Sequence, residues 1–175
     1  LGDGWNLVST PVKLAAGHED LEDIFPPASL GDIEVILAWD GSQWILPGYD
    51  YELKPLYAVY VKVIGNTTGY LYPANIPPGP LPAHHLDVGW NLIATTPVYT
   101  GGGFPPVPVE DALIAIYEFE GGLPGYSMVV SPGFNQPAWL YVRDGTESYD
   151  ILPYKGYWVW MTNPGDLPGF ASLPV

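Results

Sequence analysis

His84 and His85 stand beside Asp87, and His18 stands beside Glu19 and Asp20, so imidazole and carboxylate groups meet twice along this chain. Those groups are the material of metal ligation and of general acid–base catalysis. Neither cluster has two histidines one helical turn apart or a full ligand set, so no metal site is expected at either. No D-x-[DN]-x-[DN]-G loop occurs, and calcium held at irregular acidic loops is the one ion that the composition leaves open. The chain has three His, no Cys, no G-x-S-x-G and no H-E-x-x-H. No nucleophile with its base is legible, and no catalytic residue, cofactor or enzymatic activity is expected unless two of the 19 acidic residues converge in a cleft.

The second chemistry on offer is ring stacking, from 7 Trp, 13 Tyr and 5 Phe. Trp5, Trp44, Trp90, Trp139, Trp158, Tyr57 and Tyr157 recur at matched places, which assigns them first to packing. On the strand around residue 158, Trp158 and Trp160 share one face, as Ala58 and Tyr60 do earlier, while Tyr157 and Val159 share the other. A strand apolar on both faces turns one to its core and the other to a second sheet, a subunit or a ligand. Tyr60 and Trp160 are therefore candidate contacts, with a subunit as the leading occupant. Were the protein a sugar binder instead, an exposed aromatic row would be expected at Tyr126, Phe134 and Tyr141, in or beside the extra residues of the second copy. Asn66-Thr67-Thr68 is an N-x-[ST] sequon just after a strand, which makes Asn66 the glycosylation candidate.

These side chains need elements to hold them, and the elements repeat. GWNLVSTP at 4–11 returns as GWNLIATTP at 89–97, and Tyr49-Asp50 with LKPLYAVYV returns as Tyr149-Asp150 with LPYKGYWVW, an offset of 150 − 50 = 100 against 89 − 4 = 85 for the opening motif. A tandem duplication is expected, with about 15 extra residues in the second copy. HEDLEDIF (18–25) opens with acidic residues and spaces Leu21, Ile24 and Phe25 as a short helix, and VEDAL (109–113) reads as a turn of its own. EVILAWDGSQWIL (34–46) reads as a hairpin about Asp40-Gly41. ALIAIYEFEG (112–121) and AWLYV (138–142) are its expected counterparts, with YSMVV (126–130) as an addition between them. YAVYVKVI (57–64) and GYWVWMT (156–162) read as closing strands.

The expectation is a mainly β protein with little helix: two small β-sandwich or barrel-like domains, at 1–72 and 87–175, joined by a Pro-rich linker over 73–86, the second carrying an insertion around 121–148. A single composite sandwich built from both copies is the rival. With five Lys+Arg against 19 Asp+Glu the net charge is −14, which repels phosphate backbones and anionic membrane surfaces, so no nucleic acid partner is expected. No apolar run is long enough to enter and span a bilayer, so no direct membrane insertion is expected. The start at Leu1, without a basic stretch and apolar run, reads as a mature or excised product.

Gly89 to Leu92, Val109 to Leu113, Trp139, and Lys155 to Met161 together resemble the tandem "GWNL…GYWV" repeat modules of archaeal and bacterial secreted and S-layer-type surface proteins. The first copy departs where Leu56, Tyr57 and Ala58 replace a Gly-Tyr-Trp closing motif. The resemblance implies an extracellular, cell-surface building or adhesion unit and no catalytic residues. The expected function is a structural subunit that self-assembles into a layer or filament through β edges, including the terminal segments LGDGWNLV and FASLPV, and through aromatic faces. The alternative is a carbohydrate-binding or adhesion module of a larger secreted protein, with glycans as its partners.

Overall fold

The computed structural model describes residues 1–74, 81–96, 100–134 and 136–169. The terminal FASLPV and the middle of the Pro-rich stretch lie outside them. The fold is mainly β. In chain order come β1 (Gly4–Ser9), the helical turns α1 (Leu21–Ile24) and α2 (Pro27–Leu30), β2 (Ile33–Trp39), β3 (Trp44–Ile45) and β4 (Ala58–Val63). They are followed by β5 (Ala83–Leu86), β6 (Gly89–Ile93), β7 (Val107–Pro108), α3 (Val109–Ala112), a 3₁₀ turn at Ile114–Ile116, β8 (Glu118–Phe119) and β9 (Leu123–Pro124). The chain closes with β10 (Tyr126–Pro132), β11 (Ala138–Val142), β12 (Asp150–Ile151), β13 (Tyr157–Met161) and β14 (Gly165–Pro168).

Two four-stranded antiparallel sheets share one plan: β1-β4-β2-β3 in the first and β6-β13-β10-β11 in the second. In the first, Trp5 faces Lys62 and Leu7 faces Tyr60; in the second, Trp90 faces Trp160 and Leu92 faces Trp158. A bulge falls between Ile33 and Val35, and another between Tyr126 and Met128 at the same place in its sheet. Tyr60 thus corresponds to Trp158 and Lys62 to Trp160, which corrects the sequence offset of 100 by two residues. Trp139 stands where Ile45 does, and the place of Trp44 is taken by Ala138, so those two tryptophans are not matched.

Of the stretch expected as a strand over 112–121, only Glu118–Phe119 is strand, pairing with β9, and the rest begins with the end of α3 and a 3₁₀ turn; YSMVV, expected as an addition, is the counterpart of EVILAW in the second sheet. A short apolar run suits helix and strand alike, and tertiary packing settled it: Val109, Leu113 and Ile116 point into the core. Within the stretch read as an insertion, β10 and β11 are framework strands of the second sheet. The hairpin about Asp40 is present, its carboxylate accepting the backbone N–H groups of Ser42 and Gln43 at 2.9 Å each. Those bonds hold Asp40 down at about 2. Ala83–Leu86, at the end of the Pro-rich stretch, pairs with β14.

The recurring Gly-Trp-Asn has a local cause. Gly4 and Gly89 sit at φ 88° and 105°, a region open to glycine at little cost. The backbone turn this permits brings three main-chain groups round the next-but-one side chain. Asn6 accepts the Gly2 N–H (3.1 Å) and donates to the carbonyls of Gly2 (2.8 Å) and Gly4 (3.0 Å). Asn91 does the same with Asp87 and Gly89. Both amides are buried, so each clamp satisfies polar groups that water cannot reach.

Each sheet buries one face under its own helical turns. Val59, Val61, Ile36 and Leu21 lie in the first core, and Tyr157, Val159, Val129 and Leu113 in the second. The opposite faces meet each other. Leu7, Ala58 and Tyr60 of the first sheet join Leu92 and Ala94 of the second in a third core, flanked by Trp39, Phe134 and Trp158. The seam is reciprocal: Ser9 N–H donates to the Tyr154 carbonyl (3.1 Å), and at the corresponding place Ala94 N–H donates to Leu56 (2.9 Å). Leu56 and Tyr154 both carry positive φ, 72° and 63°, and each directs its carbonyl across the seam.

Candidate interaction face

Strand alternation lays the outer face of the second sheet out in rows. Cross-strand pairing puts Leu92, Trp158, Val130 and Leu140 in one row, and Trp90, Trp160, Met128 and Val142 in the next. None of the eight is polar. The first sheet covers the Leu92–Trp158 end, where Trp158 Nε1–H donates to Tyr60 Oη at 2.9 Å. Burial raises the Tyr60 hydroxyl above the ordinary tyrosine value. Trp158 also meets Trp39 and Trp44 edge-on, with centroids 5.7 and 5.6 Å apart.

Beyond that contact the face is open. Trp160 is 37% exposed, Trp90 39%, Leu140 and Val142 51% each. The Trp90 and Trp160 rings stand 5.2 Å apart at 81°, edge to face, and Trp90 continues to Trp158 at 6.3 Å. The open rings are therefore continuous with the buried seam. In the first sheet the row corresponding to the open one ends differently: Lys62 takes the place of Trp160 and pairs with Glu34 at 2.6 Å. Among the expected contacts, Trp160 is on this face and exposed, Tyr60 is buried in the seam, and Phe134 is half-buried against Tyr60 at 5.7 Å.

The exposed row expected at Tyr126, Phe134 and Tyr141 is not formed. Tyr126 and Tyr141 lie wholly inside the second core, because both belong to the strand faces that carry Val129 and Trp139 inward. Burial pushes the Tyr141 hydroxyl up to about 12, aided by its bond to Glu110 at 2.8 Å, and drives Tyr126 higher still. Trp139 is half-buried, stacked between Tyr149 (5.0 Å) and Tyr157 (5.3 Å). Sequence reading missed Trp90 and Trp44 as exposed rings. The signal for the first was present, since Trp90 is one position from Asn91, which must face the opposite side.

The histidines are separated by the strand they share. His84 stacks on Tyr57 at 3.8 Å with Nδ1 3.2 Å from the Leu56 carbonyl, and burial lowers its pKa. His85 points the other way, 2.7 Å from Asp166 and 3.8 Å from Asp87. His18 packs on Tyr72. Among the described residues no three His, Asp or Glu side chains are placed to hold a metal. A cavity of about 240 Å³ lies in the second half, walled by Thr95, Thr96, Val107 and Leu167 with Leu56 of the first half at its side, and Asp111 is its one carboxylate among the described residues. Asn66 and Thr68 of the sequon are exposed. Among the described residues no helix is long and apolar enough to cross a membrane. No family model, curated protein or solved structure matches the chain.

Proposed function

We propose that this chain is a non-enzymatic structural subunit of the cell exterior that self-assembles into a surface layer or filament. The observation that carries the reading is the open end of the second sheet's outer face, where Trp90, Trp160, Leu140 and Val142 form one apolar patch. Apolar side chains scattered singly on a surface need no partner, whereas a contiguous patch marks an interaction surface. The common plan of the two sheets is what a tandem duplication of one β unit leaves behind, and we take the chain to be such a duplication. Its 21 prolines lower the entropy of the unfolded chain, which suits an exposed building unit. The resemblance of the GWNL and GYWV motifs to surface-protein modules points to the same setting, and an exposed sequon at Asn66 fits it.

Electron microscopy with light scattering across a dilution series, with and without chelator, tests this. Regular filaments or lattices are the expected result, and their loss with chelator would add calcium to the assembly. A chain that stays monomeric at every concentration refutes the reading.

A further inference from the structure

We infer that the open end of the second sheet's outer face is covered by the same face of a second copy of this chain, in a two-fold contact centred on the row Trp90–Trp160–Met128–Val142. The inference rests on the assembly reading above and names its contact. Three observations converge on this occupant.

First, the patch is the uncovered continuation of a contact already made inside the chain. There, one sheet's outer face is covered by the corresponding face of a sheet with the same plan, Tyr60 meeting Trp158 and Ser9 and Ala94 making reciprocal bonds across the seam. Like packs on like, and the open row is more of the same surface. Second, the first sheet supplies an internal control. At the place of Trp160 it has Lys62, held by Glu34 at 2.6 Å, so the same framework ends in a charge pair where no partner is needed and in a tryptophan where the face stays open. Third, the row suits protein better than sugar. Apart from the two indole N–H donors its four residues offer no polar group, and the two rings stand at 81°, so they form no flat stacking platform and bring no acceptor to a hydroxylated ligand.

A two-fold contact uses each residue twice and closes on itself. It makes a dimer, and growth into a layer or filament then uses another contact, for which the outer edge of β11 is unpaired among the described residues. With a net charge of −14 the copies repel at long range, so raising salt tightens the contact.

Sedimentation velocity over a wide concentration range, on the wild type and on W160K, tests the inference. W160K installs the residue the first sheet carries at this place, so the fold is expected to hold, with circular dichroism and thermal unfolding as the check. The wild type is expected to pass from monomer to dimer. W160K should weaken the dimer at least about tenfold, as loss of a central interface tryptophan does. M128C adds the chain's one thiol at the middle of the row. A bismaleimide spanning about 10 Å, two strand spacings, should join two copies of it. Association that W160K leaves unchanged overturns the contact but not the assembly. Intact association with no crosslink through M128C overturns the same-to-same arrangement. A wild type monomeric throughout overturns both.

Discussion

Replacing Gly156 by Ala tests the sheet-on-sheet seam at a place that leaves no room for a methyl group. A Cβ built there would fall well inside van der Waals contact of the Ala58 Cβ and 2.7 Å from Leu7 Cγ, where carbons normally rest about 3.5–4.0 Å apart. Neither neighbour can swing clear, since one is fixed to the backbone and the other is a branch point. Overpacking of this kind costs about 1–3 kcal/mol, and the rigid neighbours place G156A near 3. The reciprocal change A58G deletes one buried methyl and loosens a strand residue, costing about 1 kcal/mol. In the double variant the Ala58 clash disappears while the Leu7 clash remains. The total should then be about 2 kcal/mol, some 2 below the sum of the singles. Urea unfolding followed by tryptophan fluorescence reads all three, with the slope watched for independent unfolding of the halves. A cost for G156A below about 0.5 kcal/mol, or a double variant equal to the sum, would refute packing of the two sheets across Gly156.

Other perturbations probe the local devices. N6A or N91A removes a side chain that satisfies three backbone groups, and each should cost about 2 kcal/mol, read in the same unfolding assay; a near-neutral result would mean that water reaches those groups. Alkaline stability should reflect the buried phenols. Burial raises Tyr157 and Tyr141 to about 12 each, so the folded chain keeps protons that the unfolded chain releases near 10. Their contribution is complete below about pH 10 and is lost as the pH climbs to about 12. An ultraviolet difference titration should show these phenols lagging the exposed ones, and a single transition near 10 in the folded protein would contradict their burial.

Much of the framework was legible because it depends on neighbours in sequence. Asp40-Gly41 announced its hairpin, the acidic start of LEDI its helical turn, and the period-two aromatics of GYWVWM a strand with two apolar faces. The boundary between 112 and 132 was not legible, because IAIY and MVV have similar apolar content and only contacts with residues far along the chain separate a 3₁₀ turn from a strand. Register failed for a related reason: Tyr-Asp recurs at 49 and 149, yet sheet pairing aligns Tyr51 with Tyr149.

The interaction face divides the same way. Alternation alone determined that Trp158 and Trp160 share a face opposite Tyr157 and Val159, and that both faces are apolar. Tertiary structure decided that the first sheet reaches Trp158 and stops short of Trp160, that Tyr126 and Tyr141 turn inward, and that Trp90 lies beside Trp160 in the open. Which side of a strand a residue takes is set by the residue next to it, but how far a second sheet extends over that side is set by packing between segments about a hundred residues apart, and no local pattern encodes that distance.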